Sequence, residues 1–254
     1  LTAIPAGDFD YERHGHGYAG RRRTDPRIAS HVHAALGQAR TVVNVGAGAG
    51  SYEPPDRHVV AVEPSAAMRA QRPRHLAPAV DAAAERLPFD DDAFDAAMAT
   101  VTVHQWGDLE RGLGELRRVS AGPVVVLTFD RDALDLIWLA EYVPEFVAVE
   151  RRRFPPIDLI ASHVGTRVEV LPVAIPVDCV DGFIEAYYAR PECFLDPGVR
   201  ASQSAWGFVD DAVEARAVER LRHDLDSGAW DERFGHLREQ PEFSGSLRLV
   251  VGHP

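Results

Sequence analysis

The stretch "TVVNVGAGAGSYEP", residues 41–54, sets Gly46, Gly48 and Gly50 at alternate positions directly after a β-branched run. Glycines spaced this way admit positive φ angles and let backbone come close to a ligand. A P-loop would require Lys-Ser/Thr after the last glycine, and none follows. A dinucleotide fingerprint would require glycine at position 51, where Ser51 stands. Glu63 ends the next β-branched run, "HVVAVE", and its two oxygens suit both hydroxyls of a ribose. The residues point to an adenosine-like ligand. A glycine turn that serves only the fold is the plain alternative.

His104, in "TVTVHQW", follows a later apolar run. Imidazole titrates near neutrality, so it suits a general base, an acceptor contact or a hydrogen-bonded structural group equally. Trp106 lies beside it. Trp138 and Tyr142 open an aromatic-rich region in which an apolar acceptor pocket is expected. No metal centre is expected. His31 and His33 sit at i and i+2 of a helix and point apart, and His14 and His16 have no third ligand in view. Cys179 and Cys193 form neither a zinc pattern nor a disulfide framework.

These residues need a scaffold, and the hydrophobic pattern supplies one. Strands are expected at 41–45, 58–63, 94–100, 123–129, 167–175 and 245–252. Helices are expected from Asp25-Pro26 onward and at 65–71, 108–119, 132–143, 181–189 and 208–226. "PVVVLTF" is continuously apolar, as a strand buried on both faces should be. Alternation of this kind specifies an α/β, doubly wound sheet whose ligands lie at the carboxyl ends of the strands. The expected division is a core over 1–130, lid and acceptor-binding insertions over 131–244 that include the strand at 167–175, and a final core strand over 245–254. The stretches 130–165 and 176–244 are expected to cover the carboxyl edge.

The 254 residues carry a net charge of −12. A surface of that sign disfavours nucleic acid. No apolar stretch is long enough for a membrane span, and the N-terminal segment lacks a signal-peptide core. A cytoplasmic protein with a small, partly hydrophobic partner is the expectation. The oligomeric state is not legible.

The chain resembles the class I S-adenosylmethionine-dependent methyltransferases, in particular the small-molecule branch similar to ubiquinone/menaquinone-biosynthesis methyltransferases. "VVNVGAGAGSYEP", "VVAVEPSAAM", "AAAERLPFDDDAFDAAMA" and "HQWGDLERGLGELRRV" carry the resemblance, which spans about residues 9 to 130. It implies a Rossmann-like sheet, mostly parallel with an antiparallel final strand, plus a partly helical lid. It implies S-adenosyl-L-methionine as cofactor and methyl transfer to a small organic acceptor. Gly46, Gly48 and Gly50 would border the methionine and ribose, Glu63 would hold the ribose, and Pro64 and Met68 would flank the adenine. Ala84 and Glu85 would lie at the adenine edge. Tyr11, Tyr18 and Arg23 would fold over the methionine end. His104 would be the catalytic base or a substrate contact, with Trp106, Trp138 and Tyr142 against the acceptor. Asn44 and Ala83 depart from the family, which often has Asp at both places. A nicotinamide-dependent oxidoreductase and a catalytically inactive S-adenosylmethionine-binding protein are the alternatives.

Overall fold

The computed structural model describes residues 18–254, with side chains from residue 20 onward. The elements, in chain order, begin with α1 (Tyr18–Arg21) and α2 (Pro26–Ala35). Pro26 stands just inside the start of α2, and the Asp25 side chain caps it by accepting from the Arg27 backbone N–H. Then come β1 (Thr41–Val45), β2 (His58–Val62), α3 (Ala66–Arg69), β3 (Ala96–Thr100), α4 (Leu109–Arg118) and β4 (Val124–Phe129). The chain continues through α5 (Leu139–Tyr142), α6 (Pro144–Arg153), α7 (Ile157–Val164), β5 (Arg167–Pro172) and β6 (Ile175–Pro176). It ends with α8 (Pro197–Ala201), α9 (Asp211–Ser227), α10 (Ala229–Phe234), β7 (Glu242–Phe243) and β8 (Leu247–His253).

Six strands form one sheet in the order β2-β1-β3-β4-β8-β5. β1 to β4 are parallel, and β8 runs antiparallel between β4 and β5. Side chains alternate between two cores, as the pleat requires. Val42, Met98, Val125, Leu127 and Leu249 face α2 and the aromatic interior of the later segments. Val43, Ala97, Val124, Val126 and Val250 face α4 and α7.

Phe129 pairs with Leu247 at one end of the sheet, and Arg167 pairs with His253 at the other. The segments after β4 and between β5 and β8 therefore leave from, and return to, the carboxyl edge. The stretch 130–165, expected as cover, is divided. Its first part stays at that edge, whereas α7 runs back along the sheet and packs on α4 and β8. The helix expected at 132–143 is interrupted: a 3-10 turn at 134–136 precedes α5, and Pro144 starts α6 afresh. The strand expected at 167–175 ends at Pro172, and β6 joins β7 in a separate two-stranded sheet.

Candidate functional site

β1 ends at Val45 and the backbone turns sharply. Gly46, Gly48 and Gly50 adopt φ of 70°, 52° and 97°, a region open to glycine and strained for other residues. The backbone N–H groups of Gly46 and Ala47 both donate to the Val62 carbonyl, at 2.9 and 3.0 Å, which pins the loop to the end of β2. A Cβ on Gly46 would collide with the Thr102 side chain, so the loop packs as closely as glycine allows.

Glu63 is 7% exposed and braces this loop. Its Oε2 accepts from the Gly48 N–H and its Oε1 from the Ser65 N–H, both at 2.8 Å. Burial raises its pKa, against the pull of those two donors. Each carboxylate oxygen has two lone pairs, so one donor apiece leaves acceptor capacity for a ligand. The carboxylate lies in the wall of a cleft of about 510 Å³ at the carboxyl edge. Gly46, Gly48, Pro64, Met68, Ala84, Glu85 and Trp106 line the same cleft, as does Ala83. Gly50 does not line it; a Cβ there would strike Leu76 behind the loop. Trp106 is seated against α4, where Gly112 leaves room for the indole.

A smaller cavity of about 40 Å³ adjoins the cleft, and the two share Arg22 and Val101 as wall. Val101 has φ 51°, a costly conformation for a β-branched residue, at the point where β3 ends and both cavities begin. Phe129, Phe154 and Phe183 give the smaller cavity an aromatic lining, and His104, Glu150 and Gln203 add polar atoms. The His104 ring packs 4.4 Å from that of Phe154. Burial, and then the charges of Arg153 and Arg22, hold His104 well below the ordinary imidazole range, so it is neutral at pH 7.

Other residues singled out by the sequence lie elsewhere. Arg23 is exposed and lines neither cavity; its neighbour Arg22 lines both. Tyr11 and the side chain of Tyr18, together with His14 and His16, fall outside the described residues. Trp138 and Tyr142, expected against the acceptor, belong to the aromatic interior of the cover and line neither cavity. Trp138 donates its indole N–H to the Tyr188 carbonyl at 2.9 Å and packs edge-on against Tyr142. Tyr142 donates its hydroxyl to Asp224 at 2.8 Å. Asn44 is buried beneath the loop and donates to Glu53, which forms a buried two-point ion pair with Arg72. An aspartate at 44 would confront that carboxylate, which accounts for the amide. Among the described residues, no three His, Cys, Asp or Glu side chains gather as a metal site.

Sequence reasoning missed Arg22, Val101 and Tyr52. Arg22 lies in a run of three arginines whose phase no pattern reveals, and Val101 and Tyr52 are ordinary residue types placed by an unusual φ.

The methyltransferase domain family matches residues 43–126. A solved structure from Anabaena variabilis, described as a methyltransferase from an antibiotic biosynthesis pathway, is 30% identical with a TM-score of 0.83, covering 91% of this chain and 98% of its own. A Thermotoga maritima structure described as an S-adenosylmethionine-dependent methyltransferase shares the fold at 18% identity and a TM-score of 0.57, covering 96% of this chain and 97% of its own. A type II methyltransferase structure from Anaeromyxobacter dehalogenans does so at 18% and 0.51, covering 92% and 97%. No curated protein sequence matches. The cleft fits the cofactor of such proteins: its volume suits a nucleoside joined to an amino acid, its floor is bare glycine backbone, and its wall carries a buried carboxylate with acceptor capacity to spare. By likeness along nearly its whole length, the chain belongs to the class I S-adenosylmethionine-dependent methyltransferases.

Proposed function

We propose that the protein methylates a small, partly apolar organic molecule bound where the cofactor cleft opens toward the small cavity lined by Phe129, Phe154, Phe183 and His104. The observation that carries this reading is the adjacency of that cavity to the cofactor cleft, with Arg22 and Val101 forming the shared wall. S-adenosylmethionine, when bound, supplies an electrophilic methyl group on a sulfonium. Glu63 holds the ribose hydroxyls, Gly46 and Gly48 let the backbone come close to the cofactor, and Met68 with Pro64 flanks the adenine beside Ala84 and Glu85. Gly50 shapes the loop without lining the cleft.

The chain's contribution to the transfer is alignment and exclusion of water. An in-line displacement gains most from holding nucleophile and methyl in register. The rings around the cavity keep water out. His104 enters this chemistry as a neutral hydrogen-bonding group that orients the acceptor. Burial first, and then the charges of Arg153 and Arg22, oppose its protonation, which handicaps it as a base. A cytoplasmic setting accords with the free thiols of Cys179 and Cys193. No helix among the described residues is long and apolar enough to cross a membrane.

Release of S-adenosylhomocysteine, measured across a panel of small phenols, carboxylic acids, amines and thiols, tests the proposal. Turnover with at least one of them is expected. Methylation of a protein or nucleic acid, with none of the panel turned over, would overturn it.

A further inference from the structure

Asp181 lies in the cover, just after β6, and is 1% exposed. Its Oδ1 accepts from Arg22 Nε at 2.6 Å, and its Oδ2 accepts from the Tyr52 hydroxyl at 2.7 Å. These partners come from opposite sides of the site. Arg22 follows α1, while Tyr52, at φ 65°, closes the glycine loop. Both residues line the cofactor cleft, and Asp181 lines neither cavity. The surrounding backbone is tied down as well. The Gly182 N–H donates to the Arg21 carbonyl at 3.0 Å, and the Val180 N–H donates to Asp25 at 3.1 Å. Tyr52 keeps its proton, because burial and then the Asp181 charge push its pKa up, so the contact is a phenol donating to a carboxylate.

We propose that Asp181 is a positioning residue for the cofactor: from the cover, it fixes Arg22 and Tyr52 in the cleft wall, so that seating the cover and gripping the amino-acid end of S-adenosylmethionine are one event. The inference rests on the cleft being the cofactor site. Glu63, Met68 and Ala84 mark its nucleoside end, whereas Arg22 stands where the cleft meets the smaller cavity. A guanidinium there complements a carboxylate, and its planar fork works only when its orientation is set. Asp181 sets that orientation through Nε. A buried ion pair of this kind serves geometry more than stability.

Calorimetric titration with S-adenosylhomocysteine and with adenosine separates the possibilities, because only the first carries the amino-acid end. Asp181→Asn keeps the shape and removes the charge. It is expected to weaken S-adenosylhomocysteine about tenfold, the loss of roughly one charge-assisted contact, while adenosine changes by less than about twofold. Tyr52→Phe should give a smaller loss with the same selectivity, and no further loss when added to Asp181→Asn. Should Asp181→Asn fail to fold, Tyr52→Phe decides alone: a selective loss supports the role, and unchanged binding overturns it. Unchanged binding in folded Asp181→Asn, or equal losses for both ligands, overturns it too. A wild-type protein that binds neither ligand would overturn the cleft assignment first, and the inference with it.

Discussion

Glu63 braces the fold and, on the proposed reading, also holds the ligand. Its two oxygens fasten the glycine loop and the start of α3 through backbone N–H groups, and the same carboxylate faces the cleft. Glu63→Ala is expected to weaken S-adenosylhomocysteine at least about tenfold, because contacts to a charged acceptor are worth about 1.5–3 kcal/mol each. Unchanged affinity by calorimetry would place the ribose elsewhere. For His104, half-buried and kept neutral by its surroundings, an orienting role predicts that His104→Gln retains much of the turnover, since an amide replaces the hydrogen bond. His104→Ala should mainly raise the acceptor KM. A Gln variant slowed by about a hundredfold or more would restore the base. Gly46, Gly48 and Glu63 were legible in the sequence as neighbours at one strand edge, because a turn of positive φ demands glycine and Glu63 closes the adjacent β-branched run; the structure places all three in the wall of one cleft. The choice between Arg22 and Arg23 was not, because a run of arginines carries no phase. Trp138 and Tyr142 were misplaced for a related reason: aromatic composition marks burial, and an interior and an acceptor pocket are equally aromatic.

At the scale of elements, β1, β2, β3 and β4 were legible because each is a short apolar or β-branched run between turn residues. The region after β4 was harder. In α5 and α6 the buried Leu139, Tyr142, Phe146, Val147, Val149 and Glu150 alternate with exposed Glu141, Glu145, Ala148 and Arg152, and Pro144 divides two short helices, so no single amphipathic stripe runs through the region; prolines at 144, 155 and 156 mark the breaks more reliably than hydrophobicity does. The cover is also fastened to the start of β8 by a buried carboxyl group. Glu185 is fully buried, and both its oxygens accept from the Ser246 N–H, at 2.9 and 3.0 Å. Burial raises its carboxyl to about 7, against the Ser246 N–H and the Arg248 charge. Between the ordinary carboxyl value and about 7, the folded chain holds a proton that the unfolded chain has lost. The stability this group contributes is therefore full at the acid end of that window and declines as pH rises to about 7, by up to about 3 kcal/mol. Asp25 acts in a different window: burial alone would raise it, but Arg27 and the Val180 N–H bring it down to about 2. Glu63 is also raised and adds a slope of the same sign, so comparison of wild type with Glu185→Gln isolates the effect. Denaturation midpoints followed from pH 5 to 8 should fall more steeply in the wild type. Parallel curves would refute the coupling.

For the whole molecule, the core on the α2 side of the sheet runs without a break from Ile28 through Val125 and Leu249 to Trp138, Tyr188, Phe194 and Trp230. A cover that shares its interior with the sheet cannot open by melting on its own. Calorimetry is expected to show a single transition, raised by S-adenosylhomocysteine through mass action. Two resolved transitions would mean that the cover folds separately. The far end of the sheet governs a different matter, how copies of the protein behave when crowded. β5 is the outermost strand, and Val170 and Leu171 are exposed on it. An unguarded rim of that kind recruits further strands and seeds aggregates. Here Arg167 and Glu169 stand exposed on the same strand, and its last residue, Pro172, has no N–H to offer. An incoming strand would have to strip water from both charges and leave one carbonyl unanswered. The rim thus discourages growth by its own chemistry, and the protein should remain dispersed at concentrations where a bare apolar edge would precipitate.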